Sequence, residues 1–184
     1  HYHTVKHLNE LLELTSAFVI RNKQAFLAAL LFHDIVYEPQ RAAPDYIGPS
    51  NEQASASICA ETLRTGGASE ATIARAQELI LMTEKHKAPE DDEEALLFMD
   101  IDMAIVGAHE RRYREYAGQN AREYLSAFTP EQYLMGRTAF LLHAQNSKTP
   151  VFKTKHFTHR EKQAEANIQW ELKRLPEIVM AAGM

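Results

Sequence analysis

Apolar residues recur along this chain at every third or fourth position and almost nowhere at every second one, a spacing that selects helices over strands. From Lys6, the set Leu8, Leu11, Leu12, Leu14, Phe18 and Val19 forms one stripe. Phe26, Leu27, Leu30, Leu31 and Ile35 form a second, with Asn22 as its cap. Pro39, Pro44 and Pro49 mark the stretch from Glu38 to Pro49 as a loop. Ser50 followed by Gln53 reads as a capping box that opens a third helix, and Gly66-Gly67 ends it. Ser69 caps a fourth, through Ile73, Ala76, Leu79, Ile80 and Met82. After the break at Pro89, the acidic run Glu90 to Glu94 leads into a fifth helix, Ala95 to Val106, whose positive end those acids face; Gly107 stops it. Three more follow: Glu110 to Phe128, one opened by Thr129-Pro130, and Arg160 to Met180, which Pro176 is expected to bend or interrupt. Thr149 to Thr158 reads as irregular or briefly extended. The expectation is an all-α bundle forming one domain over residues 1–184, with no linker and no fixed-period repeat.

Composition narrows the function classes. A formal net charge of -5 argues against a nucleic-acid partner, because a phosphate backbone rewards clustered Lys and Arg. A single cysteine, Cys59, excludes an intramolecular disulfide and any CxxC site. The longest apolar run, around Ala25 to Phe32, is too short to span a bilayer, so no membrane partner is expected. No signal or lipidation pattern is visible, and a cytoplasmic location is the expectation. Walker loops, GxGxxG, GxSxG and HExxH are absent, as are ExxH pairs of the di-iron kind.

Against that background His33-Asp34 stands out, because it follows an almost wholly apolar run. Buried imidazoles and carboxylates need partners, and a cation is one good partner. The plainer alternative is that Asp34 ends the helix while His33 bonds a carbonyl. Two further candidates weaken that alternative. His3 and His7 are spaced i, i+4, which places both on one helical face if the helix begins early enough. Asp100 and Asp102 lie inside an apolar helix, where two acids are costly unless paired, and their directions differ by about 200° on an ideal helix.

The order His, then His-Asp, then Asp on successive helices resembles the HD superfamily of metal-dependent phosphohydrolases, and most closely a bacterial branch of it. The residues that carry the resemblance are Tyr2-His3 with His7, Phe32-His33-Asp34-Ile35-Val36-Tyr37, Asn51-Glu52 with Ser55-Ala56, Thr83-Glu84-Lys85-His86, and Phe98 to Met103. Later echoes are Tyr113 with Tyr116, Arg122-Glu123-Tyr124, Tyr133 with Gly136-Arg137, and Gln163-Ala164 with Asn167. The loop Glu38 to Ser50 departs from the pattern in being longer and richer in proline.

The resemblance implies an HD-domain helical bundle and a divalent metal ion (Mn, Fe, Co, Ni, Zn or Mg) held by His7, His33, Asp34 and Asp102. His3 and Asp100 are the second-sphere or alternative ligands. Two imidazoles and two carboxylates make a mixed N/O set suited to such ions. In this reading Asp34 also orients or deprotonates a water, with His86 and Glu52 as further catalytic candidates. Lys85, Arg122 and Arg137 are the candidates to bind substrate phosphate; for Lys85 a solvated helix end, and for the two arginines surface ion pairs, are the plainer readings. Tyr113, Tyr116, Tyr124 and Tyr133 are read as packing residues with satisfied hydroxyls. The implied activity is removal of phosphate from a small phosphorylated molecule, a nucleotide among the options. The alternative is a non-catalytic metal- and nucleotide-binding sensor module on the same fold. An oligomer is compatible with the sequence but not indicated by it.

Overall fold

The computed structural model describes residues 1–147 and 149–183. It is all-α, as the spacing demanded: the described residues form helices and 3₁₀ turns and contain no strand. In chain order the helices are α1 (Val5–Thr15), α2 (Lys23–Phe32), α3 (Asn51–Thr65), α4 (Glu70–Thr83), α5 (Glu93–Asp102), α6 (Glu110–Tyr124), α7 (Pro130–Asn146) and α8 (Glu161–Ala182). Short 3₁₀ turns cover Pro39–Ala42, Met103–Ile105 and Thr158–Arg160.

The caps read from the sequence are formed. The Ala25 N–H donates to Asn22 Oδ1, and the Thr72 N–H donates to Ser69 Oγ. Ser50 with Gln53 closes a full capping box, and so does Thr129 with Gln132. Each supplies partners for N–H groups that a helix start leaves open. The fifth helix is shorter than its apolar run, ending at Asp102 before a 3₁₀ turn. The eighth runs through Pro176 to Ala182 uninterrupted.

The chain divides into two compact units. One holds residues 3–101, with α1 to α4 and α5 up to Ile101. Here α4 packs on α2 and α3, and α2 also meets α1 and α3. Phe26, Leu30, Cys59, Ile73, Leu79, Ile80 and Phe98 are buried in its core, with the Phe26 and Phe98 rings edge to face at 5.1 Å. The start of α2 is tied to α5, because the backbone N–H groups of Arg21 and Asn22 both donate to Glu94 Oε2. Cys59 is buried and its thiol is pushed up to about 11 by desolvation, which suits a packing residue and not a nucleophile.

The other unit holds residues 1–2 and 102–184, with α6, α7 and α8. Both α6 and α7 pack on α8. Asn167 Nδ2 donates to the carbonyls of Val106 and Ala108, which pins the turn before α6. Gly107 sits in that turn; a Cβ there would come within 2.7 Å of Arg160 Cβ and 2.9 Å of the Phe152 ring, so only glycine fits.

Candidate metal centre

His7 lies on the buried face of α1, in line with Leu11 and Thr15 at i+4 and i+8. His33 caps α2 after the buried run Ala25, Phe26, Ala28, Ala29 and Leu30. Its own N–H still donates to the Ala29 carbonyl at 2.8 Å, and the chain turns off the helix immediately afterwards.

The geometry is compact. His33 Nε2 lies 3.0 Å from Asp34 Oδ2, and His7 Nε2 lies 3.8 Å from the same oxygen. One donor atom from each of His7, His33 and Asp34 falls within 4.8 Å of the others. Donors bound at about 2.1 Å stand roughly 3.0 Å apart at right angles and about 4.2 Å apart in trans, so small adjustments would seat one ion among the three. The two histidine side chains are 6% and 4% exposed, and Asp34 is 24% exposed, so water reaches the trio at the carboxylate.

Hydrogen bonding sets the chemistry of His33. Its Nδ1 lies 3.0 Å from the Leu30 carbonyl oxygen, which can only accept. Nδ1 therefore carries the hydrogen, and in the neutral ring Nε2 presents a lone pair. A lone pair and a carboxylate oxygen 3.0 Å apart repel; a proton or a cation between them turns repulsion into attraction. The site also lies at the C-terminal end of α2, the negative end of the helix dipole, which favours positive charge. Two imidazoles and one carboxylate, with the orienting carbonyl behind one of them, fit a divalent first-row ion.

The segment after Asp34 is fastened to α3. The Val36 N–H donates to Ser55 Oγ at 3.1 Å, and the Glu38 N–H donates to Asn51 Oδ1 at 2.9 Å. Glu52, half-buried, stands in the first turn of that helix. His3 presents Nε2 to Asp34 Oδ2 at 3.7 Å, and its ring stacks on Tyr37. Asp100 is buried within α5, outside the compact trio. Asp102 is the last residue of α5 and belongs to the other unit. Lys85 and His86 are exposed in the turn after α4, where His86 takes a positive φ of 47°.

Arg122 is exposed on α6. Arg137 calls for a correction. It is not at an exposed surface position: its side chain is 9% exposed, and its Nε and Nη2 donate to the two oxygens of fully buried Glu171, at 2.7 and 3.0 Å. Tyr113 OH donates to the same carboxylate at 2.5 Å, and Arg137 Nη2 donates to Tyr116 OH at 3.3 Å. The reading of the tyrosines as packing residues with satisfied hydroxyls holds for these two, and for Tyr133, whose OH donates to Asn120 Oδ1. Burial raises the hydroxyls of Tyr113, Tyr116 and Tyr133 above the ordinary tyrosine value.

Sequence reasoning passed over Glu171 and gave Tyr37, though part of the Phe32–Tyr37 motif, no role of its own. A signal for Glu171 was present: it continues the buried stripe Ala164, Ile168, Leu175 and Val179 of α8, a place where a lone acid needs a partner. Nothing in the sequence pointed to the stacking of Tyr37 on His3.

Comparison with protein-family models, with curated proteins and with solved structures returned no significant match.

Proposed function

We propose that this chain is a metal-dependent phosphohydrolase that removes phosphate from a small phosphorylated molecule, a nucleotide being the first class to test. The observation that supports the reading is the convergence of His7, His33 and Asp34 from two helices and a turn, with donor atoms close enough for one ion. A divalent ion bound there would polarise a phosphoryl oxygen and make a bound water more acidic.

The chain's own groups have defined parts in this reading. The Leu30 carbonyl holds the His33 ring so that Nε2 faces Asp34. The buried rings of His7 and His33 exclude water from one side of the site. Asp34, the most exposed of the three, is the group that orients the attacking water and accepts its proton at a carboxylate oxygen. Glu52 and His86 are carried forward from the family resemblance as assistants in proton transfer and phosphate binding.

The test is turnover of nucleotides and phosphate esters by the metal-loaded full chain, beside a His33→Ala/Asp34→Ala double variant. Product formed by the parent and lost in the variant supports the reading. Equal turnover in both removes the centre from the mechanism. A ligand-induced rise in melting temperature with no product favours the sensor module instead.

A further inference from the structure

Asp34 is approached by a third histidine in a different manner from the other two. His7 and His33 form the compact trio with it, whereas His3 stands outside that trio although its Nε2 lies 3.7 Å from Asp34 Oδ2. That separation is longer than a hydrogen bond, and stacking adds to what holds the His3 ring. His3 precedes α1 and has no helical backbone to restrict it. What packs on its ring is Tyr37, face to face, with centroids 3.5 Å apart and planes 25° apart. The His7 ring meets it edge-on, with centroids at 5.8 Å.

Tyr37 is well placed to act as the fixed partner. Its neighbours on both sides are fastened to α3, Val36 through Ser55 and Glu38 through Asn51. Asp34 is also the member of the trio that most needs steadying. At 24% exposure it has more room to change rotamer than the buried rings of His7 and His33.

We propose that Tyr37 is a positioning residue of the metal centre: it clamps the His3 ring, and His3 steadies the Asp34 carboxylate from outside the donor trio. This rests on the metal reading above. Groups behind the ligands commonly change metal affinity by about tenfold to a hundredfold, and a clamp of this kind works through the same route.

The experiment measures Co²⁺ binding to the full-length chain by calorimetry, together with the visible absorption of the saturated protein. It compares the parent with His3→Ala, Tyr37→Leu, Tyr37→Phe and His33→Ala. Because His3 lies before the first helix, its truncation tests the clamp even if Tyr37→Leu loses its fold, which melting curves report. The expected result is that His3→Ala and Tyr37→Leu each weaken Co²⁺ binding by about tenfold or more. Tyr37→Phe, which keeps the ring, binds like the parent, and the saturated spectra of these four proteins coincide. The proposal is overturned if Tyr37→Leu binds like the parent, or if Tyr37→Phe loses as much as Tyr37→Leu. It is also overturned if the saturated His3→Ala spectrum shifts, since His3 would then be a direct ligand. A parent that takes up no Co²⁺, or a His33→Ala variant that binds it as well as the parent, defeats the metal reading itself and this proposal with it.

Discussion

His33 Nε2 and Asp34 Oδ2 belong to adjacent residues yet lie 3.0 Å apart. α2 ends at Phe32, and the pair sits in the tight turn that follows, where the Ile35 N–H donates to the Phe32 carbonyl. The Leu30 carbonyl then fixes which imidazole nitrogen faces the carboxylate. Replacing the charge while keeping the shape is the cleanest probe of that pair. Asp34→Asn is expected to keep the helical fold, by circular dichroism, and to weaken divalent-ion binding by about a hundredfold or more in calorimetry. Unchanged affinity would exclude Asp34 as a ligand.

The Arg137–Glu171 pair makes a stability prediction. Arg137→Met leaves a buried carboxylate with its main counter-charge gone, which costs about 3–5 kcal/mol in chemical unfolding. The double variant Arg137→Met/Glu171→Leu removes both charges and is expected to recover most of that loss. Phosphate turnover in the double variant should match the parent once it is folded, because the guanidinium is held by Glu171.

Asp92 gives a pH dependence of known sign. Arg75 donates to it through two nitrogens, and the Ala95 N–H donates to it as well, so its carboxyl lies below the ordinary value, the Arg75 hydrogen bond being the chief favourable cause. A depressed native value means the stabilisation is fully present above the unfolded carboxylate value of about 3.9 and is lost as pH falls through the native one. Asp92→Asn keeps a capping oxygen but loses the charge. It should be less stable than the parent at pH 7 by about 1 kcal/mol or less, and the gap should narrow and close as pH falls below the ordinary carboxylate value and through the depressed native one. Urea unfolding at a series of pH values checks this.

His86 separates a backbone role from a chemical one. Its positive φ is the left-handed conformation that commonly ends a helix, and the Lys87 N–H donates back to the Met82 carbonyl across it. Glycine adopts that conformation without a Cβ penalty. His86→Gly is therefore expected to raise stability by about 0.5–1 kcal/mol, by thermal unfolding. If His86 also contributes to catalysis, the same variant loses turnover while gaining stability. If turnover is unchanged, the residue serves only to stop α4.

Much of this was legible in the sequence, for identifiable reasons. Asn22, Ser50, Ser69 and Thr129 announced their helices because capping is local chemistry between residues two or three apart. His33-Asp34 was legible because an imidazole and a carboxylate follow an apolar run that has to be buried, while the choice of His7 over His3 came from the family resemblance. Arg137 was misread because its partner, Glu171, is 34 residues away, and no local pattern encodes a contact at that distance. The clamp of Tyr37 on His3 escaped for the same reason, as it joins the segment before α1 to the one after α2. The end of α5 at Asp102 fell short of the apolar run because a 3₁₀ turn continues the same periodicity in tighter form.

The most direct measurement is diffraction from crystals grown with Mn²⁺, Co²⁺ or Zn²⁺, using anomalous scattering at the metal edge. The account expects one peak within about 2.0–2.3 Å of Nε2 of His7, Nε2 of His33 and a carboxylate oxygen of Asp34. Saturating metal with no peak among those three side chains, or a peak held by other residues instead, would contradict it.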